Sequence, residues 1–487
     1  MGIPPDDSSP VDGAPSNEEL TELVASQQTR IVELEGLIRE QAARIANLEE
    51  RLGRNPRNSS MPPSAEGFGK PSVPNRAERR AAQRRPGKQP GTEGKHLAQV
   101  EVPDDVRVHS PMVCGGCGGD LSDAELVDVE RRQVFELPPM RPFVTEHRME
   151  RRRCGCGCAT KAAPPPEAIA PACYGPGVRA LACYLAIYQH LPYDRMAQLF
   201  GDVLGIDISV GALTSMVAEA GGALGLFTDA VRDLLIDAPA VHFDETGARV
   251  AGSLHWVHVA CSTLYTLIGC HKKRGTIAMD AMGVLATMQG TAVHDGWRSY
   301  RSYDVLHQLC NAHHVRELEA VAVGWDQGWA DEMIGLLVGA KEAVEVARAT
   351  GADQLDATTL HSIRVRYGRL IQKGWAANPE PEVGKRVGYE KKAANLLIRL
   401  DGQRADVLRF STDFEVSWDN NQAERDVRMV KLQQKISGTW RTLDGARSYC
   451  AIRSYLSTMK KHGQPVLDGL RLLFEGDVWL PAGLPRT

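Results

Sequence analysis

The sequence lacks the features of an exported or membrane-embedded protein. Among its 487 residues, no apolar run approaches the roughly 20 residues that a membrane-spanning helix needs. Residues 1–17 are acidic and rich in proline and serine, with neither the basic start nor the apolar stretch of a secretory signal. We therefore expect a cytoplasmic protein that does not bind membranes. At this length, with 43% apolar residues, we expect about three domains and at least one sizeable core.

An even, regularly spaced set of cysteines is also missing. The chain has 11 cysteines, an odd number, which argues against a disulfide framework and for reduced thiols. Their clustering instead predicts metal ligands. Four thiolates in two pairs suit tetrahedral zinc, and flanking glycines let the backbone wrap a metal. The alternative is a set of incidental buried cysteines. The candidate ligands of this structural zinc are Cys114, Cys117, Cys154 and Cys156, with Cys158 as a replacement in the second pair.

The net charge of -4 hides one strongly basic segment. Ten lysines and arginines between Arg54 and Lys95 face three glutamates. Such segments commonly neutralise phosphates, although many are solubilising linkers. Frequent prolines and glycines predict that residues 54–100 form an extended linker, which orders only against DNA. The arginines proposed to contact DNA are Arg79, Arg80, Arg84 and Arg85.

A heptad pattern precedes this linker. Between Leu20 and Leu52, apolar residues alternate at spacings of three and four, interrupted by Gln27 and Gln41. This pattern predicts a two-stranded parallel coiled coil over residues 18–53, and hence self-association. The alternative, an amphipathic helix packed on its own domain, is less favoured because the polar linker that follows offers no core.

Two short helical patterns predict a helix-turn-helix. They cover residues 196–205 and 208–216, and Ser209 would cap the second helix. Plain helical packing explains the pattern equally well.

A pattern of strands places two aspartates together. The predicted order is three antiparallel strands, a helix and a fourth strand parallel to the first, which is the ribonuclease-H-like order. The strands are Ala240–Asp244, Leu254–Ala260, Leu264–Gly269 and Thr291–Asp295, and the helix is Ala278–Gln289. Asp244 and Asp295 would end neighbouring strands, within reach of shared metals. Taken singly, each is more typically a turn residue that bonds nearby backbone amides.

A glutamate on a basic helix supplies a third carboxylate. Residues 420–437 have a helical pattern in which Glu424, Arg428, Lys431 and Lys435 share one face, with Arg425 beside it. We predict that the four cations of this helix, Arg425, Arg428, Lys431 and Lys435, bind DNA. The alternative is a solvated helix with internal ion pairs. Three carboxylates can hold two magnesium or manganese ions, which stabilise the attacking and leaving oxygens of phosphoryl transfer on a nucleic acid.

A compact cluster of histidines and a cysteine is harder to interpret. The cluster falls in a stretch that we predict to be helical and consists of His307, Cys310, His313 and His314. Of these, His307, Cys310 and His314 would share one face. The cluster is either a second zinc site or a hydrogen-bonded core.

The assembled motifs resemble the DDE transposases of the insertion-sequence 66 family, over nearly the whole chain. The resemblance rests on the coiled-coil start, the zinc-binding cysteines and the blocks at residues 58–64, 86–91, 242–246, 294–300, 310–316 and 420–425. It implies that Asp244, Asp295 and Glu424 are the acidic triad. Lys431 has the offset of the phosphate-binding lysine in the transposase signature, but Ser417 and Asn420 stand where that signature has tyrosine and arginine.

The expected organisation of the whole chain is a multidomain α+β protein with a ribonuclease-H-like core, which the resemblance implies is interrupted by a helical insertion. The expected parts are a disordered tail (1–17), coiled coil (18–53), basic linker (54–100), zinc-binding domain (101–163), helical domain with the helix-turn-helix (164–235), core (236–299), helical insertion (300–418), core with the glutamate helix (419–460) and C-terminal segment (461–487).

The function expected from residues and resemblance together is metal-dependent DNA cleavage and strand transfer of an insertion sequence. The partners would be terminal inverted repeats, target DNA, further copies of the chain and accessory proteins of the same element, at a bacterial nucleoid. The alternatives are a nuclease or resolvase of the same fold and a catalytically inactive zinc-finger regulator that binds DNA. Recombination through a covalent serine or tyrosine intermediate lacks the residues that would activate such a nucleophile.

Overall fold

The computed structural model describes residues 21–37, 41, 97–168, 170–325, 327–380 and 388–482, with backbone alone at 323–325 and 388–389. The tail 1–17, the proposed DNA contacts Arg79, Arg80, Arg84 and Arg85, and most of the linker and coiled coil lie outside these residues. Within the described part, residues 97–146 and Phe200–Ile206 form one compact unit, and the remainder belongs to another.

Helix α1 covers residues 21–37, inside the predicted coiled coil. All its residues are exposed, including the apolar seam residues Val24, Ile31 and Leu34. The helix is therefore observed as predicted, and its apolar seam lies open to a partner.

The smaller unit is largely irregular over residues 97–146. In the larger unit, β1 (Arg151–Arg153) and β2 (Ala159–Lys161) form an antiparallel pair on either side of the second cysteine group. In the smaller unit, a side chain bonds to distant backbone instead. The Gln133 side-chain amide accepts a hydrogen bond from the Val100 N–H and donates one to the Val100 carbonyl, each at 2.8 Å.

Four helices follow: α2 (Pro176–Cys183), which continues as a π-helical turn at Tyr184–Tyr188, α3 (Tyr193–Leu204), α4 (Val210–Gly222) and α5 (Gly225–Ile236). Ser209 caps α4 as predicted, since its Oγ accepts from the Ala212 N–H at 3.1 Å. The helix contains no lysine or arginine, so it offers no cation to a phosphate backbone.

No single helix among the described residues is long and apolar enough to cross a membrane. One pair, α4 and α5, passes that test of length and composition only jointly, with a bend of 45° between them. Many apolar side chains of this pair are buried within the protein, including Leu213, Val217, Phe227 and Leu235, whereas Leu226 is exposed.

A five-stranded mixed sheet forms the centre of the larger unit. Its strands are β3 (Ala240–Val250), β4 (Ser253–Cys261), β5 (Thr266–His271), β6 (Thr291–His294) and β7 (Leu306–Leu309), in the order β5-β4-β3-β6-β7. The first three strands are antiparallel, whereas β6 runs parallel to both β3 and β7. The predicted arrangement of the first four strands is therefore observed.

Several predicted boundaries were wrong. β5 covers Thr266–His271 rather than Leu264–Gly269. β3 continues six residues beyond Asp244, because Ala251 and Gly252 form a tight turn with positive φ and fold β4 back along it. Only the parallel pairing with β6 ends just before the aspartate, at His242. Helix α6 covers Thr276–Met282 rather than Ala278–Gln289, since Gly283 ends it in the left-handed conformation.

The chain between the sheet and the glutamate helix forms a helical layer with its own core. It comprises α7 (Asn311–Trp325), α8 (Gly328–Ala349), α9 (Ala357–Ala377), α10 (Gly388–Gly402) and α11 (Arg404–Leu408). Trp329, Leu337, Tyr367 and Leu397 lie in this core. Strand β7 falls inside the range 300–418 that we expected to be helical, so the helical part begins at Asn311.

Three helices complete the larger unit: α12 (Asn421–Ser437), α13 (Leu443–Lys461) and α14 (Val466–Glu475). Helix α13 covers the edge strand β5, where the Ser454 and Thr458 hydroxyls accept from the N–H groups of Ile268 and Thr266 at 2.8 and 3.1 Å. On its other side α13 meets α4 closely, since a Cβ on Gly221 would come within 2.6 Å of the Ser448 Cβ. These contacts hold α4 and the sheet in one packed body.

Candidate active site

The two predicted aspartates lie at the same level of neighbouring strands, Asp244 within β3 and Asp295 one residue after the end of β6. His242 of β3 is in register with Val293 of β6, and each strand reaches its aspartate two residues later. One oxygen of each carboxylate binds nearby backbone: Asp244 accepts from the Glu245 N–H at 2.9 Å, and Asp295 from the Trp297 N–H at 2.8 Å. The parallel pairing of β3 and β6 therefore brings these aspartates to one edge of the site.

The environment of Asp244 is crowded with negative charge. Burial raises the pKa of the Asp244 carboxyl well above its usual range, and the neighbouring charges of Glu245, Asp295 and Glu424 raise it further. Asp295 and Glu424 are therefore within electrostatic reach of Asp244, and Glu424 contributes least among these charges. A divalent cation would relieve this repulsion, and oxygen donors suit magnesium. The residues present therefore fit a magnesium or manganese site.

Glu424 approaches from the first turn of α12, as the helical pattern predicted. Its side chain is 17% exposed, and its Oε1 lies 3.7 Å from the His313 Nδ1 and 3.6 Å from the Arg316 guanidinium. The Arg428 guanidinium lies 3.6 Å from its Oε2. Neither Oε1 nor the His313 Nδ1 has a hydrogen-bond partner, although both atoms are buried.

Asn420 fixes the start of this helix against the sheet. Its side chain donates to the Phe243 carbonyl at 2.7 Å, and its Oδ1 lies 3.0 Å from the His242 Nδ1. Its backbone N–H donates to the Cys310 Sγ at 3.2 Å. Asn420 is buried, so these bonds tie α12 to β3 immediately beside Asp244. No anchoring role was predicted for this residue from the sequence.

The predicted basic face of α12 is mostly exposed. Arg425, Arg428 and Lys435 are open to solvent. Lys431 is half-buried instead, and its ammonium donates to the Gly247 carbonyl of β3 at 2.5 Å. Burial lowers the pKa of Lys431. Three of the four predicted DNA contacts are therefore available on the surface, and the fourth lies against the sheet.

A network that sequence analysis missed supports the aspartates. Glu245 is buried, and one of its oxygens accepts from the Arg274 guanidinium at 2.8 and 3.0 Å while the other accepts from the Tyr300 hydroxyl at 2.5 Å. The Arg274 guanidinium stacks between Trp256 and Trp297, at 4.7 and 4.1 Å from the ring centroids. Because Trp297 follows Asp295 closely, this network holds the Asp295 loop to β3. The sequence did carry a signal for this network. The blocks 242–246 and 294–300 contain Glu245, Trp297 and Tyr300, and Arg274 follows two lysines.

The predicted helical cluster of histidines was wrong in part. His307 lies on β7, where its Nδ1 is 3.0 Å from the His294 Nε2, and Cys310 lies between β7 and α7. His314 is buried, and desolvation lowers its pKa to about 3. Burial raises the pKa of the Cys310 thiol to about 12. Since the chain turns from strand to helix here, Cys310 and His313 face Glu424 while His307 belongs to the sheet.

The predicted zinc ligands are arranged in close groups. The N–H groups of Cys117 and Gly116 lower the pKa of the Cys114 thiol, and those of Cys156 and Gly155, with the Cys156 thiol, do the same for Cys154. A lowered thiol pKa favours the thiolate that binds metal. A Cβ on Gly119 would come within 3.4 Å of the Cys117 Sγ, so glycine keeps that sulfur accessible. Each pair, taken by itself, therefore offers thiolate donors of the kind that zinc binds.

Comparison with known families agrees with the geometry. A family described as transposase IS66 matches residues 171–448, more than half of the chain. The zinc-finger binding domain of transposase IS66 matches residues 111–157, a range that includes Cys114, Cys117, Cys154 and Cys156 but ends before Cys158. A family of unknown function matches residues 3–98. No curated protein matches the chain. The protein belongs to the IS66 family of transposases and carries the zinc-binding domain of that family.

Proposed function

We propose that the protein catalyses metal-dependent DNA cleavage and strand transfer of an insertion sequence, with Asp244, Asp295 and Glu424 as the catalytic carboxylates. The observation that supports this most strongly is the register of β3 and β6, which brings Asp244 and Asp295 to one level of the sheet. The charges of Asp295 and of Glu424, in the first turn of α12, both raise the pKa of the Asp244 carboxyl. Structural ion pairs would lower this pKa, whereas a carboxylate site built for cations raises it when no cation is bound.

The fold proposed for this site is ribonuclease-H-like. The strand order β5-β4-β3-β6-β7, with the parallel β6 beside β3, supports it. The packing of α12 against β3 and β4 supports it also, because it presents Glu424 to the edge where the aspartates lie. Residues 311–408 would then interrupt the core as a helical insertion.

The roles of the residues follow from their chemistry. Two magnesium or manganese ions, when bound, would stabilise the attacking and leaving oxygens of an in-line displacement at phosphorus. Asp244, Asp295 and Glu424 would hold them. Glu245, Arg274 and Tyr300 would keep the Asp295 loop in position and exclude water behind it, without touching the DNA.

The proposed DNA path follows the exposed cations near the carboxylates. Arg425, Arg428 and Lys435 on α12 would contact phosphates of the terminal repeat or target. Lys431 donates one of its three ammonium protons to Gly247, so two remain for a phosphate. Arg79, Arg80, Arg84 and Arg85 would neutralise further phosphates from the linker.

The N-terminal parts are proposed to organise the assembly. A structural zinc ion held by Cys114, Cys117, Cys154 and Cys156 would order the zinc-binding domain. The apolar seam of α1 would pair copies of the chain as a coiled coil. Accessory proteins of the same element remain proposed partners.

The decisive experiment supplies full-length protein with magnesium and DNA that carries the inverted repeats flanking its reading frame. We expect both nicks at the element ends and products in which those ends are joined to target DNA. Nicks without joined products would favour a nuclease or resolvase. DNA binding with neither product would favour the inactive regulator.

A further inference from the structure

Three side chains of different chemistry converge beside the carboxylates. Cys310 immediately precedes α7, His313 lies in its first turn, and Glu424 lies in the first turn of α12. One ligand atom from each, a thiol sulfur, a ring nitrogen and a carboxylate oxygen, lies within 4.8 Å of the other two. The spacing of three residues places Cys310 and His313 on the same side of the turn.

The separation of these atoms suits a tetrahedral ion. Zinc bonds of about 2.0 Å to nitrogen and oxygen, and about 2.3 Å to sulfur, place tetrahedral donors roughly 3.3 to 3.5 Å apart. The His313 Nδ1 already lies 3.7 Å from the Glu424 Oε1. Both atoms are buried, and neither is already held by a hydrogen bond.

The donor set differs from that of the aspartates. Asp244 and Asp295 offer oxygen alone, which suits magnesium, whereas a thiolate and an imidazole favour zinc and similar transition metals. We propose that Cys310, His313 and Glu424 form a second metal site of the zinc class, which shares Glu424 with the magnesium site. Zinc would bind as the Cys310 thiol releases its proton to solvent, and Glu424 would then be withdrawn from magnesium. The sharing rests on the proposed function, in which Glu424 is a magnesium ligand; the zinc site itself does not.

The cations around the site oppose metal binding and supply a test. The Arg316 guanidinium lies 3.6 Å from the same Glu424 oxygen and is 48% exposed, so it can rotate into solvent. Arg428 lies beside the other oxygen. Replacing Arg316 by alanine removes a competing cation without removing a ligand. Arg316→Ala should therefore bind zinc about tenfold more tightly, whereas loss of Cys310 or His313 should weaken binding.

The first experiment uses cobalt as a coloured substitute for zinc in the full-length protein. Wild type should bind one more equivalent of cobalt than Cys310→Ser or His313→Ala, and the difference spectrum should show the absorption of one cobalt–thiolate bond. The zinc-binding domain contributes equally to all three proteins and cancels. Circular dichroism checks that each variant folds, and the partly exposed His313 allows a test even if the buried cysteine is needed for folding. Equal cobalt stoichiometry and spectra in all three would overturn the site.

The second experiment tests the sharing of Glu424. Manganese bound to the full-length protein, with the zinc-binding domain already loaded, is followed by electron paramagnetic resonance. One equivalent of added zinc should release manganese from wild type but not from Cys310→Ser. Retention of manganese by wild type would overturn the sharing. Failure of manganese to bind at all would instead count against the proposed function, while the cobalt result would still decide on the zinc site.

Discussion

At the scale of single residues, the repulsion around Asp244 has a direct consequence for stability. Its carboxyl binds a proton more tightly in the folded protein than in the unfolded chain, because burial and the charges of Glu245, Asp295 and Glu424 disfavour its ionised form. The favourable contribution is full below the unfolded pKa and is lost as pH rises through the higher folded pKa. The metal-free protein should therefore lose stability through this group as the pH becomes neutral.

Asp244→Asn should remove this loss. In the metal-free protein at pH 7 to 8, we expect the variant to melt at a higher temperature than wild type, and the difference should shrink near pH 4. Magnesium should raise the melting temperature of wild type only. Thermal melting across pH, with and without magnesium, measures both effects. Equal stabilisation of the two proteins by magnesium would contradict the assignment.

Asp295→Asn separates chemistry from DNA binding. The substitution keeps the shape of the side chain and the acceptor for the Trp297 N–H, but it removes one charge that would bind a cation. The cleavage rate should fall by about a hundredfold or more, because the variant loses a major electrostatic contribution to transition-state stabilisation. Its DNA affinity should stay within a few-fold of the wild-type value. Asp304→Asn, at an exposed position, is the matched control. Strand cutting at the wild-type rate by Asp295→Asn would discard its catalytic role.

At the scale of elements, the site depends on how α12 is tied to β3. The Asn420 side chain makes two bonds, to His242 and Phe243, whereas its bond to Cys310 comes from the backbone N–H and would survive a substitution. Asn420→Ala should destabilise the protein by about 2 to 4 kcal/mol, because buried polar partners lose their hydrogen bonds. Asn421→Ala is the control, since the exposed Asn421 amide bonds only to its neighbour Asp419. Chemical denaturation measures both. Similar losses in the two variants would refute the anchoring role.

The elements were predictable where local pattern decides them. Helix α12 begins within one residue of its predicted start, and β4 extends one residue beyond each predicted end. Prediction was wrong where turn chemistry decides, at the continuation of β3 into its hairpin and at Gly283 after α6. Strand β7 has only four residues and is stabilised by its pairing with β6, so no local periodicity predicted it.

At the scale of the whole molecule, sequence predicted the family, because the family rests on short motifs. The catalytic role of the three carboxylates rests on the same motifs and stays a prediction. The supporting contacts were not predictable, since they join distant residues: Asn420 to His242, and Arg274 to Glu245. Such pairs depend on the packing of α12 and the sheet, which no motif encodes. The approach of Glu424 to Cys310 and His313 was likewise not predictable, because it too depends on the packing of distant parts of the chain.

Self-association should depend on the seam of α1. Ile31→Asp would place a charge in the apolar seam and dissociate the full-length protein to its monomer mass of 53.2 kDa. Gln28→Asp, which lies off the seam, should leave the assembly intact. Light scattering after size exclusion measures the mass. A wild-type protein that is already monomeric would contradict the coiled coil.

The most direct measurement of the central claim is anomalous diffraction from crystals of the full-length protein soaked in manganese. The account predicts two manganese ions within coordinating distance of Asp244, Asp295 and Glu424 together. Manganese bound by the aspartates alone, with the Glu424 carboxylate turned away from both ions, would contradict it.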